Sequence, residues 1–75
     1  EQALHHLGEV KLTLGNAKEA LHLYQQRLHI LEEQHNTTPH PDIAETLDKL
    51  GVTYRNLGKT RLAFENLEKS LAMYE

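Results

Sequence analysis

The sequence contains no cysteine, and it has no apolar run of the length that crosses a membrane. Without cysteine, disulfide bonds, thiolate metal sites and cysteine nucleophiles are excluded, and the usual indicator of the redox compartment is missing. A membrane-spanning helix needs about 20 consecutive apolar residues, so no membrane partner is expected. No signal or transit segment is recognisable either, and the default expectation is an intracellular, cytoplasmic protein.

A surplus of charge of one sign is also absent. Eight Lys and Arg stand against eleven Asp and Glu, which gives a net charge of −3 with both signs interspersed along the chain. Domains that bind nucleic acid concentrate basic residues on one face, so nucleic acid is not the expected partner. The composition, 39% hydrophobic and 25% charged, is typical of a folded globular chain. A chain of 75 residues buries only about 60% of its unfolded surface, and we expect a thin core.

The sequence does contain an internal repeat with a period of 43 residues. Self-similarity of this kind is typical of repeat architectures, in which each unit is one supersecondary structure that cannot bury its apolar face alone. Moving the sequence by one period places Leu4, Leu7, Gly8, Leu14, Gly15, Ala20 and Leu28 on Leu47, Leu50, Gly51, Leu57, Gly58, Ala63 and Leu71.

Each repeat is predicted to be two helices joined by a glycine turn. The apolar residues recur at helical spacing, and Gly15 and Gly58 interrupt that spacing in the middle of each unit. Residues 36–39 (Asn-Thr-Thr-Pro) cannot continue a helix, whereas Pro41 suits the first turn of a new one and His40 precedes it. We therefore predict an all-α fold without strands. The predicted helices are 2–14, 17–34, 41–57 and 60–74, in repeats 1–34 and 41–75 joined by the loop 35–40.

Gly8 and Gly51 lie inside the first helix of each repeat. Glycine there costs about 0.5–1 kcal/mol relative to alanine, so a compensating contact is expected. The prediction is a close approach to Ala20 and Ala63 of the partner helix, with the aromatic residue or Leu that follows in that helix filling the space beside it. Each hairpin would then be held by packing of small residues against small residues.

The pattern of Leu, Leu-Gly, a large residue, a turn glycine, Ala and an aromatic residue or Leu resembles the tetratricopeptide repeat. The stretch 40–47 (HPDIAETL), followed by 50–54 (LGVTY) and 57–59 (LGK), looks like the extended repeat of kinesin light chains and their relatives in scaffold proteins. Kinesin light chains usually carry an Asn pair where this chain has Asp48 and Lys49. The resemblance implies that the chain is a fragment of a longer array of hairpins stacked as a right-handed α-solenoid.

The resemblance also implies a role as a protein-interaction scaffold, with the first helix of each repeat lining a concave surface that binds a peptide or protein segment. Helical spacing selects the residues of that face, and the alternative is that they are only the solvated side of amphipathic helices. The predicted concave-face residues are Gln2, His5, Glu9, Leu12 and Thr13 in the first repeat and Glu45, Asp48, Val52, Arg55 and Asn56 in the second.

A second functional hypothesis comes from the stability of repeat proteins. Arrays generally need about three units and polar terminal caps, whereas this chain has two units and an apolar last helix that includes Leu71 and Tyr74. The exposed ends would then stack on neighbouring repeats or on a second copy, and the segment would be a structural module that binds no peptide.

Nothing in the sequence indicates an enzyme, a cofactor or a metal site. There is no Ser-His-acid arrangement, Gly-rich phosphate loop or helical H-E-x-x-H motif. The pairs Glu19–His22 and Glu32–His35 have the spacing found in carboxylate-bridged di-iron bundles, but such sites need further Glu ligands from facing helices, and the facing surfaces here are apolar. The six histidines are interpreted as surface residues that add positive charge below about pH 6.5.

The four aromatic residues fall on the apolar stripes of their helices, which favours core packing over a stacking platform. Tyr74 is the exception that only a following repeat would cover. The residues concerned are Tyr24, Tyr54, Phe64 and Tyr74.

Overall fold

A computed structural model of the protein describes residues 2–35 and 40–74, and it contains four helices and no strand in these two ranges. Each helix begins and ends within one residue of the range expected from the sequence. The predicted linker residues 36–39 lie outside the described residues. The helices are α1 (Gln2–Thr13), α2 (Ala17–His35), α3 (Pro41–Asn56) and α4 (Thr60–Tyr74).

The turns of the two hairpins have the same hydrogen-bond pattern, because in each turn a glycine in the left-handed region follows the first helix of the hairpin. Gly15 has φ 85° and Gly58 has φ 78°, and residues that carry a Cβ atom rarely adopt such values. After α3, the Gly58 N–H donates to the Arg55 carbonyl at 3.0 Å and the Lys59 N–H donates to the Tyr54 carbonyl at 2.8 Å. These two bonds are those of the Schellman cap, and α1 ends in the same way.

Helix α3 begins at a cap that His40 provides. His40 has an extended backbone, and its Nδ1 accepts a hydrogen bond from the Asp42 N–H at 3.1 Å, while Pro41 occupies the first turn. The prediction that Pro41 occupies the first turn of a new helix is therefore confirmed. The His40 ring also stacks on His35, the last residue of α2, with the ring centroids 3.8 Å apart. The end of α2 and the start of α3 are thus in direct contact.

The helices pack in chain order, α1 on α2, α2 on α3 and α3 on α4. The smallest extent of the Cα positions is 14 Å, which two layers of helices about 10 Å apart would occupy. This arrangement confirms the all-α fold of two helical hairpins, whereas the right-handed stacking of further hairpins stays a prediction. The core consists of Ala20, Tyr24, Leu31, Ile43, Leu47 and Leu50, with Leu12, Leu21, Leu28, Tyr54 and Met73 packed against it.

The glycines inside α1 and α3 face large side chains, so the predicted packing of small residues against small residues was wrong for Gly8 and held only in part for Gly51, whereas the predicted filling of the space by Tyr24 and Leu67 is confirmed. A Cβ added to Gly8 would lie 2.9 Å from Cε1 and Cζ of the Tyr24 ring. A Cβ added to Gly51 would lie 2.8 Å from Cγ of Leu67 and 3.2 Å from the Ala63 carbonyl oxygen. The missing side chain of each glycine leaves a depression on the helix surface. Tyr24 fills the depression at Gly8 and Leu67 fills the one at Gly51, because a close-packed interior leaves no empty space.

Among the described residues, every buried hydroxyl group has a hydrogen-bond partner except that of Tyr24. Thr46 Oγ1 donates to the Asp42 carbonyl at 2.8 Å, and Thr53 Oγ1 donates to the Lys49 carbonyl at 2.7 Å. Ser70 Oγ donates to the Ala44 carbonyl at 3.0 Å, which joins α4 to α3. These bonds remove the desolvation cost of placing hydroxyl groups in the core.

The aromatic residues divide according to their position in the fold. Tyr24 is fully buried and Tyr54 packs against the core, as predicted, but Phe64 is 62% exposed and its assignment to the core was wrong. Its counterpart one period earlier, Leu21, packs against the core where α3 lies on α2, whereas the main packing of α4 is against α3 alone. The side chain of Tyr74 lies outside the described residues. No helix of the described ranges is long and apolar enough to span a bilayer.

Candidate functional site

Helices α1 and α3 lie beside each other, and charged side chains connect them. His5 Nε2 of α1 is 3.8 Å from Glu45 Oε1 of α3, and Lys49 Nζ of α3 is 3.5 Å from Glu9 Oε2 of α1. Three of the predicted concave-face residues, His5, Glu9 and Glu45, are therefore brought together.

Arg27 of α2 reaches the same place from below. Its side chain is only 3% exposed, and its Nη1 donates to Thr46 Oγ1 at 2.6 Å and lies 3.5 Å from Glu45 Oε1. The same Nη1 is 3.5 Å from His5 Nδ1. Arginine can only donate, so Nδ1 is the acceptor and the proton of His5 lies on Nε2, which donates to Glu9 Oε1 at 3.1 Å. A continuous polar chain therefore connects all three helices.

These groups line a cleft of about 330 Å³ that is open to solvent between α1 and α3. Three carboxylates face one guanidinium, so the net charge of the lining is −2 when both histidines are neutral. The carboxylate side chains are 43%, 47% and 48% exposed, which places them at the mouth, whereas the guanidinium lies at the floor. The cleft is lined by His5, His6, Glu9, Arg27, Asp42 and Glu45.

The hydroxyl group of Tyr24 is buried next to this cleft and has no hydrogen-bond partner among the described residues. The ring passes beneath Gly8 and meets the His5 ring edge-on, with the centroids 6.0 Å apart. Burial raises the pKa of Tyr24 to about 12, and the charge of Glu9 adds to the rise. Arg27 lowers this pKa and Glu45 raises it, so the hydroxyl lies within electrostatic range of three residues that line the cleft.

The other predicted concave-face residues do not form a second cluster. Leu12 packs against the core, and Asp48 and Val52 are partly exposed. Thr13, Arg55 and Asn56 are exposed, with Thr13 Oγ1 donating to the carbonyl of Glu9 at 2.9 Å. No side-chain hydrogen bond or ion pair joins these six residues to one another in the described ranges, and the side chain of Gln2 lies outside them.

Sequence reasoning missed Arg27, although the sequence carries a signal for it. Arg27 is three residues after Tyr24 and four before Leu31, so it lies on the apolar stripe of α2. A charged residue in an apolar stripe indicates a buried partner, because an unpaired buried charge is costly. His6 and Asp42 were also missed as lining residues, since their participation depends on how close α1 and α3 lie.

Three of the four residues in the histidine–carboxylate pairs that have di-iron spacing make other contacts, and one of these is His35, which stacks on His40. Glu19 Oε2 forms an ion pair with Lys11 Nζ at 3.0 Å, and His22 Nε2 lies 3.5 Å from Gln26 Nε2. Within residues 2–35 and 40–74, no three His, Asp or Glu side chains converge in a geometry that could hold a metal ion.

Comparison with known proteins gives one result for the whole sequence. The family model described as tetratricopeptide repeat matches residues 1–75. No curated protein and no solved structure matches the chain.

Proposed function

The chain belongs to the tetratricopeptide repeat family, and we propose that it is a scaffold that binds a peptide segment of a partner protein on the concave face formed by α1 and α3. Tetratricopeptide repeats are non-catalytic scaffolds that generally mediate protein–protein interactions. The period of 43 residues supports placing the chain in the extended type found in kinesin light chains.

The observation that carries this proposal is the polar cleft between α1 and α3. The family resemblance and helical spacing together selected His5, Glu9 and Glu45 for the concave face, and all three line the same cleft. Farther along α3, Val52 is partly exposed, and Leu12 of α1 keeps part of its surface open although it packs against the core. Apolar contacts give affinity to peptide grooves, whereas polar groups fix register and orientation, and this face offers both.

Peptide display combined with NMR tests this proposal. Random peptides displayed on phage are selected on the immobilised chain, and an enriched peptide is then titrated into isotope-labelled protein. We expect amide shifts to cluster on α1 and α3. The double variant Arg55→Ala/Asn56→Ala should weaken binding by about tenfold, or 1.4 kcal/mol, because both side chains are exposed on α3.

The matched control is Arg61→Ala, which removes an exposed arginine from α4 and should leave the affinity unchanged. Failure to enrich any peptide, or shifts that cluster on α4, would contradict binding on the concave face.

A second candidate function, association through the repeat ends, is favoured by a comparison of equivalent positions. Leu50 of α3 is 2% exposed, whereas Leu7, one period earlier in α1, is 46% exposed. Tyr24 of α2 is fully buried, whereas its counterpart Leu67 in α4 is 37% exposed and Leu71 is 64% exposed. The inner helices α2 and α3 cover each other, and the outer helices leave the same positions open. A further hairpin or a second copy of this chain would cover them.

Sedimentation equilibrium over a concentration series tests this second candidate. We expect a dimer that dissociates on dilution, and Phe64→Glu/Leu71→Glu should make the chain monomeric, because both side chains are exposed on α4. A wild-type chain that stays monomeric at the highest concentration would exclude end association. That result would leave the proposal of peptide binding standing.

A further inference from the structure

The exposed carboxylates of the cleft have unused hydrogen-bonding capacity. Glu9 contacts His5 through Oε1 and Lys49 through Oε2, at 3.1 and 3.5 Å. Each carboxylate has about four acceptor positions on its two oxygens, and the Glu9 and Glu45 side chains are 43% and 48% exposed. Both can therefore accept further hydrogen bonds from a group that enters through the mouth of the cleft.

The charge of the cleft selects the sign of that group. Arg27 lies at the floor with its side chain 3% exposed, against Glu45 and Thr46. The three carboxylates outnumber it, so the lining has a net charge of −2 with neutral histidines, and Lys49 at the rim reduces this to −1. An anionic ligand would meet the carboxylates before it reached the guanidinium, whereas a cation would be attracted.

The hydroxyl of Tyr24 is an independent observation that points to a ligand. It is buried with no hydrogen-bond partner among the described residues, and the Tyr24 ring meets the ring of His5, which lines the cleft, edge-on with the centroids 6.0 Å apart. Its oxygen can accept one N–H donor. Because a buried polar atom without a partner is costly, a ligand that donates at this point gains a contact that the free protein lacks.

We propose, on the basis of the function proposed for this face, that the cleft binds the side chain of a lysine or arginine in the partner segment. Its N–H groups would donate to the carboxylates of Glu9 and Glu45 at the mouth and to Tyr24 Oη, which is buried beside the cleft. An ammonium has three donors and a guanidinium has five, which is enough for all three acceptors. Arg27 serves as a positioning residue that holds Glu45 from beneath. The partner is thus a segment that presents a basic residue.

The experiment uses small probes that differ in charge. Four probes are titrated into the isotope-labelled chain and followed by NMR. They are N-acetyl-arginine methylamide, the corresponding lysine and glutamate compounds, and the citrulline compound, which is a neutral isostere of arginine. We expect the arginine and lysine probes to shift amides of α1 and α3 around the cleft in a saturable way. The citrulline probe should bind at least about tenfold more weakly, since it keeps the shape but loses the charge.

The chain offers a matched pair of control variants. Glu9 accepts from His5 and Glu33 accepts from His29, each four residues along a helix, at 3.1 and 2.7 Å. Glu9→Gln should weaken the arginine probe by about fivefold, as expected for the loss of one charged acceptor, and Glu33→Gln on α2 should not weaken it. Tyr24→Phe removes only the buried hydroxyl and should weaken the probe by about threefold or more.

Three results would overturn the proposal. Equal binding of citrulline would show that charge is not recognised, and tighter binding of the glutamate probe would make the cleft an anion site. Equal loss in Glu9→Gln and Glu33→Gln would indicate diffuse surface attraction. Failure of this proposal can be told apart from failure of the proposed function. If the selected peptides bind α1 and α3 but contain no basic residue and do not compete with the arginine probe, the scaffold function stands and only the ligand class is refuted.

Discussion

Gly8→Ala is the substitution that tests the packing of the first hairpin most directly. The added Cβ would lie 2.9 Å from two atoms of the Tyr24 ring, closer than van der Waals contact allows, and the ring is fully buried and has no open space to enter. Overpacking of this kind costs about 1–3 kcal/mol. Replacing glycine by alanine in a helix gains about 0.5–1 kcal/mol. The steric term is larger, and we expect a net loss of about 0.5–2 kcal/mol.

Urea unfolding followed by far-ultraviolet circular dichroism measures this loss. A loss of about 1 kcal/mol lowers the melting temperature of a domain of this size by about 4–8 °C, against a total stability of about 4–11 kcal/mol. His22→Ala is the control, because His22 is exposed on α2 and its replacement gains helix propensity of up to about 0.7 kcal/mol without meeting a neighbour. If Gly8→Ala raised the urea midpoint as His22→Ala should, the contact between Gly8 and the Tyr24 ring would be refuted.

Three further predictions concern single groups. Burial raises the pKa of Tyr24 to about 12 from about 10 in the unfolded chain, so folding favours the neutral phenol and this contribution to stability is complete below pH 10. Between pH 10 and 12 the wild type should lose about 2 kcal/mol more in urea unfolding than Tyr24→Phe does, and equal losses would contradict the burial of the hydroxyl. His40→Ala removes the acceptor for the Asp42 N–H and should cost about 0.5–2 kcal/mol, whereas His40→Asn, which keeps an acceptor, should retain most of the thermal stability. Gly58→Ala places a side chain at φ 78° and should lower the free energy of unfolding by about 1–2 kcal/mol, with Gly58→Asn less affected; equal losses in the two variants would argue against a left-handed conformation at this turn.

The helix boundaries could be predicted from the sequence because short-range chemistry sets them. Gly15 and Gly58 end their helices through hydrogen bonds that reach no more than five residues back, and Pro41 starts α3 next to the His40 cap. Each signal acts within one turn of the chain. The apolar stripes likewise identified most of the core, since the spacing of a helix fixes which residues share a face.

The polar cleft could be predicted only in part. The family resemblance together with helical spacing placed His5, Glu9 and Glu45 on one surface, but their contacts with Arg27 depend on three helices meeting at one point. The exposure of Phe64 was missed for a related reason. Periodicity states which side of a helix is apolar, and it does not state whether another helix covers that side.

The two repeats differ at the position of Arg27, and this difference affects how the hairpins recognise their neighbours. One period later the residue is Ser70, and the counterpart of Thr46 one period earlier is Ala3. The hydrogen bond from Arg27 to Thr46 across α2 and α3 therefore has no equivalent between α4 and the α1 of a second molecule. A single buried polar pair can distinguish one partner from another of the same shape. Exchange of hairpins between chains keeps the hydrogen bond between Arg27 and Thr46, whereas end-to-end stacking of two chains lacks it. The two modes of assembly therefore differ in specificity even where their apolar surfaces are alike.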